Sequence, residues 1–197
     1  ASDRGGGVNL VNCARVSIEA NLFANYAGRT GGGLAASNAA DLTLSGKVFG
    51  NDTTGGDAAN RRGSGVYFSG SGLTITGEVY QNSGASMGVG IALENTTNFT
   101  LSGAVNRNFS TSASSNRGGG IYLSNCAGGV LSSVVSENGG FYGGGLYAVS
   151  CGPFTNAGSL SFNTAEQAGG GFVLEACQGP LFSGPVFSNS AKFAAGA

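Results

Sequence analysis

The clearest repeat in the chain reads Gly118-Gly119-Gly120-Ile121-Tyr122-Leu123-Ser124-Asn125-Cys126. Three glycines are followed by an apolar residue, any residue, and a second apolar residue. Val135 comes seventeen residues after Gly118, Asn138 three residues after that, and Gly143 then begins the pattern again. Self-similarity at a fixed period predicts an architecture in which stacked units share one core.

Seven such blocks divide the chain, with successive spacings of 26, 32, 25, 30, 25 and 26 residues, and they begin at Gly5, Gly31, Gly63, Gly88, Gly118, Gly143 and Gly169. The third and fifth residues after each first glycine are apolar in every block, which predicts a short strand with one buried face. A second apolar pair follows in most blocks. A third apolar position recurs at Leu22, Val48, Val79, Val105, Val135, Leu160 and Val186.

Three short strands in each block, with no helical period, predict an all-β fold. A single block is too small to bury its own apolar face, so blocks stack and equivalent strands pair in parallel. We therefore predict one domain over residues 1–197, a single-stranded parallel β-helix of about seven three-sided coils. Right-handedness is expected from the chirality of parallel crossovers. No polar cap is visible at either end, so we expect a segment of a longer chain with uncapped ends.

Asparagines occupy one position in all seven coils, and we predict that they form a structural ladder: Asn25, Asn51, Asn82, Asn108, Asn138, Asn163 and Asn189. A second position holds Asn12, Asn38, Asn95 and Asn125. Asparagine tolerates the left-handed backbone conformation, and its amide both donates and accepts hydrogen bonds. At coil spacing, each amide can bond to its neighbours, as amides do in cross-β stacks.

All four cysteines lie eight residues after the first glycine of their block, at Cys13, Cys126, Cys151 and Cys177. A metal site normally needs ligands of more than one residue type that converge on one point, and the chain has no histidine. Parallel side-chain vectors also disfavour disulfides between stacked cysteines. We interpret the thiols as small buried side chains that fill a corner, and we predict no cofactor or metal.

The composition argues against charged partners, because only 10% of the residues are charged and the net charge is −1. Such a chain has no strong field to attract nucleic acid. No apolar run approaches the length of a membrane-spanning helix, about 18 residues.

Two blocks are longer than the others, and their extra residues, 52–62 and 109–117, fall at one corner of the coil. We interpret Arg4, Arg29, Arg62 and Arg117, at or next to the residue before a glycine triplet on that edge, as solvated charges.

Two sets of outward residues are candidates for binding. Tyr67, Tyr122 and Tyr147 share one column of the first strand, where exposed aromatic rings would suit contact with sugars or proteins. On the second strand, three consecutive coils carry a Thr-x-Ser/Thr pattern, at Thr43/Ser45, Thr74/Thr76 and Thr100/Ser102. Such hydroxyl and methyl groups repeat about every 6.7 Å along a strand and about every 4.8 Å between coils, a grid that could order water as ice-binding solenoids do.

Catalysis is the least favoured interpretation. Many parallel β-helices act on polysaccharides, but that chemistry needs clustered carboxylates. Glu94 and Glu175 share a column, yet three coils separate them. We therefore predict that the chain is not an enzyme.

The repeat resembles that of the polymorphic outer-membrane proteins of chlamydiae and related adhesin-like β-helices. In that family a Gly-Gly-Ala-Ile element alternates with a Phe-x-x-Asn element. The matching stretches here are residues 31–34, 118–121 and 143–146, together with residues 160–165 and 186–191. The triplet here is usually all glycine. The resemblance implies an exported protein at the cell surface or outside the cell, with a structural or adhesive role. Its partners would be other segments of the same chain, neighbouring surface proteins or carbohydrate.

Overall fold

The computed structural model describes residues 3–55, 60–110 and 116–193, so parts of both inserted stretches, at 56–59 and 111–115, lie outside the described residues. Within these ranges the chain is a parallel β-solenoid of about seven turns, as the repeat predicts. Every strand pairing is parallel and joins residues one repeat apart, as between Val8 and Leu34 or between Ile91 and Ile121. No helix in the described ranges is long and apolar enough to span a membrane.

The first and second predicted strands of each coil belong to one sheet and not to two separate sides. Only one or two left-handed residues bend the chain between them (Asn38, for example, has φ of 50°), so in two coils a single strand runs through both. Among the described residues this sheet has twelve strands: β1 (Val8–Val11), β2 (Ala14–Ile18), β5 (Leu34–Leu44), β8 (Val66–Ile75), β10 (Ile91–Thr97), β11 (Thr100–Leu101), β13 (Ile121–Ser124), β14 (Gly129–Leu131), β17 (Leu146–Val149), β18 (Phe154–Asn156), β21 (Phe172–Glu175) and β22 (Leu181–Phe182).

The third predicted strand forms a sheet of its own, with one short strand from each coil: β3 (Leu22–Phe23), β6 (Val48–Phe49), β9 (Val79–Tyr80), β12 (Val105–Asn106), β15 (Val135–Ser136), β19 (Leu160–Ser161) and β23 (Val186–Phe187). A further short side, absent from the sequence prediction, follows the ladder asparagines. Its strands are β4 (Tyr26–Ala27), β7 (Asp52–Thr53), β16 (Gly139–Tyr142), β20 (Thr164–Ala168) and β24 (Ser190–Ala191). The coil thus has three sides, but they are divided differently from the prediction.

The core fills the inside of the coils and compensates for gaps in the apolar pattern. Gly129 stands where other coils carry a large second-strand residue, and a Cβ there would lie 2.1 Å from the ring of Phe99 in the preceding coil. The fully buried Phe99 therefore occupies the space that Gly129 leaves. Burial falls in the last coil, where Val186 is 46% exposed although its counterpart Val135 is completely buried.

Candidate functional site

The predicted asparagine ladder is the most regular polar feature of the rod. Along the described chain six amide–amide bonds of 2.9–3.0 Å join its seven members, each Nδ2 donating to the Oδ1 of the next coil. The same Oδ1 also accepts the backbone N–H of the preceding rung, for example from Asn82 to Asn108 at 3.1 Å. All five interior rungs are at most 1% exposed: Asn51, Asn82, Asn108, Asn138 and Asn163. Because these bonds are buried and join successive coils, they hold the coils in register.

The ladder asparagines do not themselves adopt the left-handed conformation. The residue before each of them does, with φ of 52–61° at Ala24, Gly50, Gln81, Arg107, Glu137, Phe162 and Ser188. At the second asparagine position the prediction is correct, since Asn12, Asn38, Asn95 and Asn125 have φ of 49–55°. The first asparagine position therefore serves side-chain bonding, whereas the second serves backbone bending.

The third glycine of each triplet packs against the ladder. A Cβ at Gly120 would lie 2.7 Å from the carbonyl oxygen of Gly145 and 2.9 Å from Nδ2 of Asn138. Gly90 and Gly145 stand equally close to their own rungs. The space against the amide leaves no room for a side chain, which accounts for glycine at this position.

The tyrosine column is not exposed, contrary to the sequence prediction. Tyr122 and Tyr147 are only 5% and 4% exposed, and Tyr67 is half-buried. Their rings belong to a second apolar cluster on the outer side of the first sheet, which includes Ala92, Met87 and Tyr142. Met87 and Tyr142 directly precede the first glycine of their blocks, and this left-handed glycine turns the chain there. This second layer covers rings that would otherwise face water.

Polar groups at the rim of the tyrosine cluster contact one another within the fold. Arg117 stacks on the ring of Tyr147 at 5.5 Å, and the Tyr147 hydroxyl bonds to Glu175. Burial, followed by that hydrogen bond, raises the pKa of Tyr147 to about 12. The pKa of Tyr122 is also raised, chiefly by burial. These rings therefore stabilise the rod and leave little surface for a ligand.

The predicted hydroxyl residues form one in-register column on the strands. Thr74 pairs with Thr43 on one side and Thr100 on the other. All six residues of the predicted grid are exposed or half-exposed. The second set, Ser45, Thr76 and Ser102, comes one residue after its strand ends. Ser102 even turns its hydroxyl to the carbonyl of Ile75, at 3.4 Å. The first set therefore lies on the strands, and the second lies on the residue that follows each strand.

The carboxylates and the thiols lie in different places, and each bonds to its own neighbours. Glu94 pairs with Arg62 and Glu175 bonds to Tyr147, so each carboxylate has a partner close by. All four cysteines are free. Cys126 and Cys151 are buried and donate to backbone carbonyls at 3.3–3.4 Å. Contact with Cys126 and burial raise the pKa of Cys151. In the part of the chain that the structure describes, no three His, Cys, Asp or Glu side chains converge as metal ligands would.

Comparison of the chain with protein-family models, with curated proteins and with solved structures gave no match. Assignment of the molecule therefore rests on its own geometry, that of a β-solenoid repeat protein.

Proposed function

We propose that the chain is a non-catalytic rod that serves a structural or adhesive role at a cell surface or outside the cell. The unbroken asparagine ladder is the observation that supports this proposal most. It commits one asparagine side chain in every coil, buried in the five interior rungs, to holding the coils in register. The repeat pattern that resembles chlamydial polymorphic outer-membrane proteins supports the extracellular location.

Surface charges also serve the rod. Ion pairs that join adjacent coils include Arg29–Asp3 at 3.3 Å, Lys47–Glu78 at 3.4 Å and Arg107–Glu137 at 2.9 Å. Phe23, Phe49 and Tyr80 stack at 5.0–5.1 Å on the outer side of the third-strand sheet. Side chains that link neighbouring coils inside and outside resist shear between coils, which a rigid spacer requires.

Immunogold labelling of the source cells tests the location. An antibody raised against residues 1–197 should label intact cells as strongly as permeabilised cells. Label that appears only after permeabilisation would contradict the extracellular role.

A second candidate function is ice binding, supported by the in-register threonines. Backbone pairing sets Thr43, Thr74 and Thr100 at coil spacing, about 4.8 Å, on one exposed face. Val130 continues the same column and interrupts its hydroxyls. The test is thermal hysteresis of the purified chain, which Thr74→Tyr should abolish while the circular dichroism spectrum stays unchanged. A native chain without hysteresis would end this candidate.

A further inference from the structure

A recess lies at the corner before the first glycines of the first three blocks, Gly5, Gly31 and Gly63. Its volume is about 160 Å³, and Arg4, Arg29, Thr30, Asn60, Arg62 and Glu94 contribute to its lining. Three guanidinium groups and one carboxylate line the recess, and a second carboxylate, Asp3, pairs with Arg29 at 3.3 Å. The sequence alone suggested solvated arginines, but the structure brings three of the four into one recess. Arg117 lies elsewhere, on the ring of Tyr147.

Backbone pairing explains why the arginines meet. Arg4 forms a parallel bridge to Thr30, and Thr30 forms one to Arg62. Neighbouring strands are about 4.8 Å apart, so Arg4 and Arg62 flank Thr30 at one strand spacing on either side. Two guanidinium groups can therefore reach the same small group over Thr30.

Thr30 supplies an independent sign of a ligand. Thr30 is among the residues that line the recess, it is only 9% exposed, and its Oγ1 is buried with no hydrogen-bond partner among the described residues. Buried polar atoms in native proteins are nearly always paired, so an unpaired one calls for an explanation. Because Oγ1 has almost no accessible surface, an oxygen atom of a ligand in the recess would accept its hydrogen bond after a small shift of the side chains that cover it.

Arg62 is positioned before any ligand arrives. Its Nε donates to Oε1 of Glu94 at 2.5 Å, and its Nη1 donates to the carbonyl of Asn60 at 3.0 Å. The Tyr67 hydroxyl in turn donates to Oε2 of Glu94 at 3.2 Å. The Arg62 side chain is 25% exposed. A side chain already fixed in place loses little conformational entropy on binding.

We propose that this recess binds an oxyanion, the carboxylate, sulfate or phosphate group of a ligand. Arg4 and Arg62 grip it from two sides and Thr30 donates a hydrogen bond from below. Planar guanidinium groups bind such anions through paired hydrogen bonds. A water molecule takes about 30 Å³ in the liquid, so the recess has room for about five waters and admits a small anionic group. This assignment goes beyond the structural role and holds wherever the rod is located.

Titrations followed by NMR of the ¹⁵N-labelled chain test the site. Sodium sulfate, sodium phosphate and sodium glucuronate are added at an ionic strength fixed with sodium chloride, and glucose serves as the neutral probe. The amide signals of Thr30 and Gly31 and the Nε–Hε signal of Arg62 should shift and saturate with at least one anion, and not with glucose. The anion that saturates at the lowest concentration identifies the source as sulfated, phosphorylated or carboxylated.

Variants distinguish a specific binding site from non-specific attraction to positive charge on the surface. The double variant Arg4→Gln/Arg62→Gln should weaken binding about tenfold or more, since charge-assisted bonds are lost. Thr30→Val leaves the charge unchanged and should weaken binding several-fold. Arg62→Lys keeps the charge but loses the planar fork, and should also weaken it. Arg107→Gln removes an exposed arginine that pairs with Glu137, and should leave the affinity unchanged.

Three results would overturn the proposal: shifts that grow without saturation for every anion, an affinity unchanged in Thr30→Val, or an equal loss in Arg107→Gln and in the double variant. Signal dispersion in the variant spectra verifies that each variant is folded.

Discussion

At the scale of single residues, Asn108 shows how much one side-chain amide contributes to the stability of the fold. Its Oδ1 accepts both the backbone N–H and the side-chain amide of Asn82, and its Nδ2 donates to Asn138 and to the carbonyl of Val79. Because the position is completely buried, water cannot take the place of these bonds. Loss of this one side chain therefore leaves several polar groups without partners.

Asn108→Ala should lower the free energy of unfolding by at least about 2 kcal/mol, since each stranded buried group costs about 1–3 kcal/mol. Urea denaturation measures it. Asn21→Ala is the matched control, because the exposed Asn21 only accepts the N–H of Lys47, at 2.9 Å, and water can take its place. The control should lose less than about 1 kcal/mol. Equal losses would contradict a special role for the ladder.

Tyr147 makes stability depend on alkaline pH. Its pKa is about 12 in the folded chain against an ordinary value of 10.0, so folding favours the protonated form. That contribution is fully present below pH 10 and is lost as the pH rises towards 12. The free energy of unfolding should therefore fall between pH 10 and pH 12, and fall less in Tyr147→Phe. Identical pH profiles for the two chains would refute this assignment.

At the scale of elements, the glycine triplet and the asparagine rung together form one corner. The first glycine is left-handed, with φ of 70° at Gly118, and turns the chain into the strand. The third glycine lies against the amide of the rung. The triplet and the rung lie about twenty residues apart in sequence, yet each limits the side chain that the other position accepts.

Gly120→Ala should destabilise the rod by about 1–3 kcal/mol, the usual cost of overpacking, because neither the Gly145 carbonyl nor the bonded Asn138 amide can move away freely. Gly152→Ala is the control. There the nearest atom to a new Cβ is the Cβ of Ala127, at 3.2 Å, and φ is not positive. Its stability should stay within about 1 kcal/mol of the native chain. Thermal unfolding compares the two, and a stable Gly120→Ala rod would contradict the packing argument.

The repeat predicted the stacked coils and the ladder, because both follow from the period and from residue types at fixed positions. It did not predict the cover over Tyr122 and Tyr147, because alternation along a strand tells inside from outside but not what lies outside. A signal was present: the same outward position is apolar in six of seven coils, at Ala35, Tyr67, Ala92, Tyr122, Tyr147 and Val173. The meeting of Arg4, Arg29 and Arg62 was also missed, since it depends on side-chain directions at a corner.

At the scale of the whole molecule, protection is unequal along the rod. Each interior third strand donates to the next coil, as Val135 N–H does to the carbonyl of Ser159 at 2.8 Å and Leu160 N–H to that of Pro185 at 3.0 Å. The equivalent Val186 belongs to the last described coil, where Phe187 is 47% exposed. In the isolated 197-residue chain, local opening should therefore begin in this more exposed coil.

Hydrogen exchange of the 197-residue chain measures that gradient. The amides of Val105 and Val135 should exchange slowest and that of Val186 much faster, with Leu160 between them. Uniform exchange along the rod would mean that all coils open together, contrary to nearest-neighbour stacking.

The ladder also gives the rod a polarity. All six amide bonds run in the same sense, with each donor directed towards the following coil. A coil built into the stack upside down would set donor against donor and acceptor against acceptor. Coils can thus be duplicated or deleted but not inverted, and each duplication would lengthen the rod by one strand spacing, about 4.8 Å. The inserted stretches after Asn51 and Asn108 leave the rungs unbroken, so loops at this corner can vary in length while the rod keeps its direction.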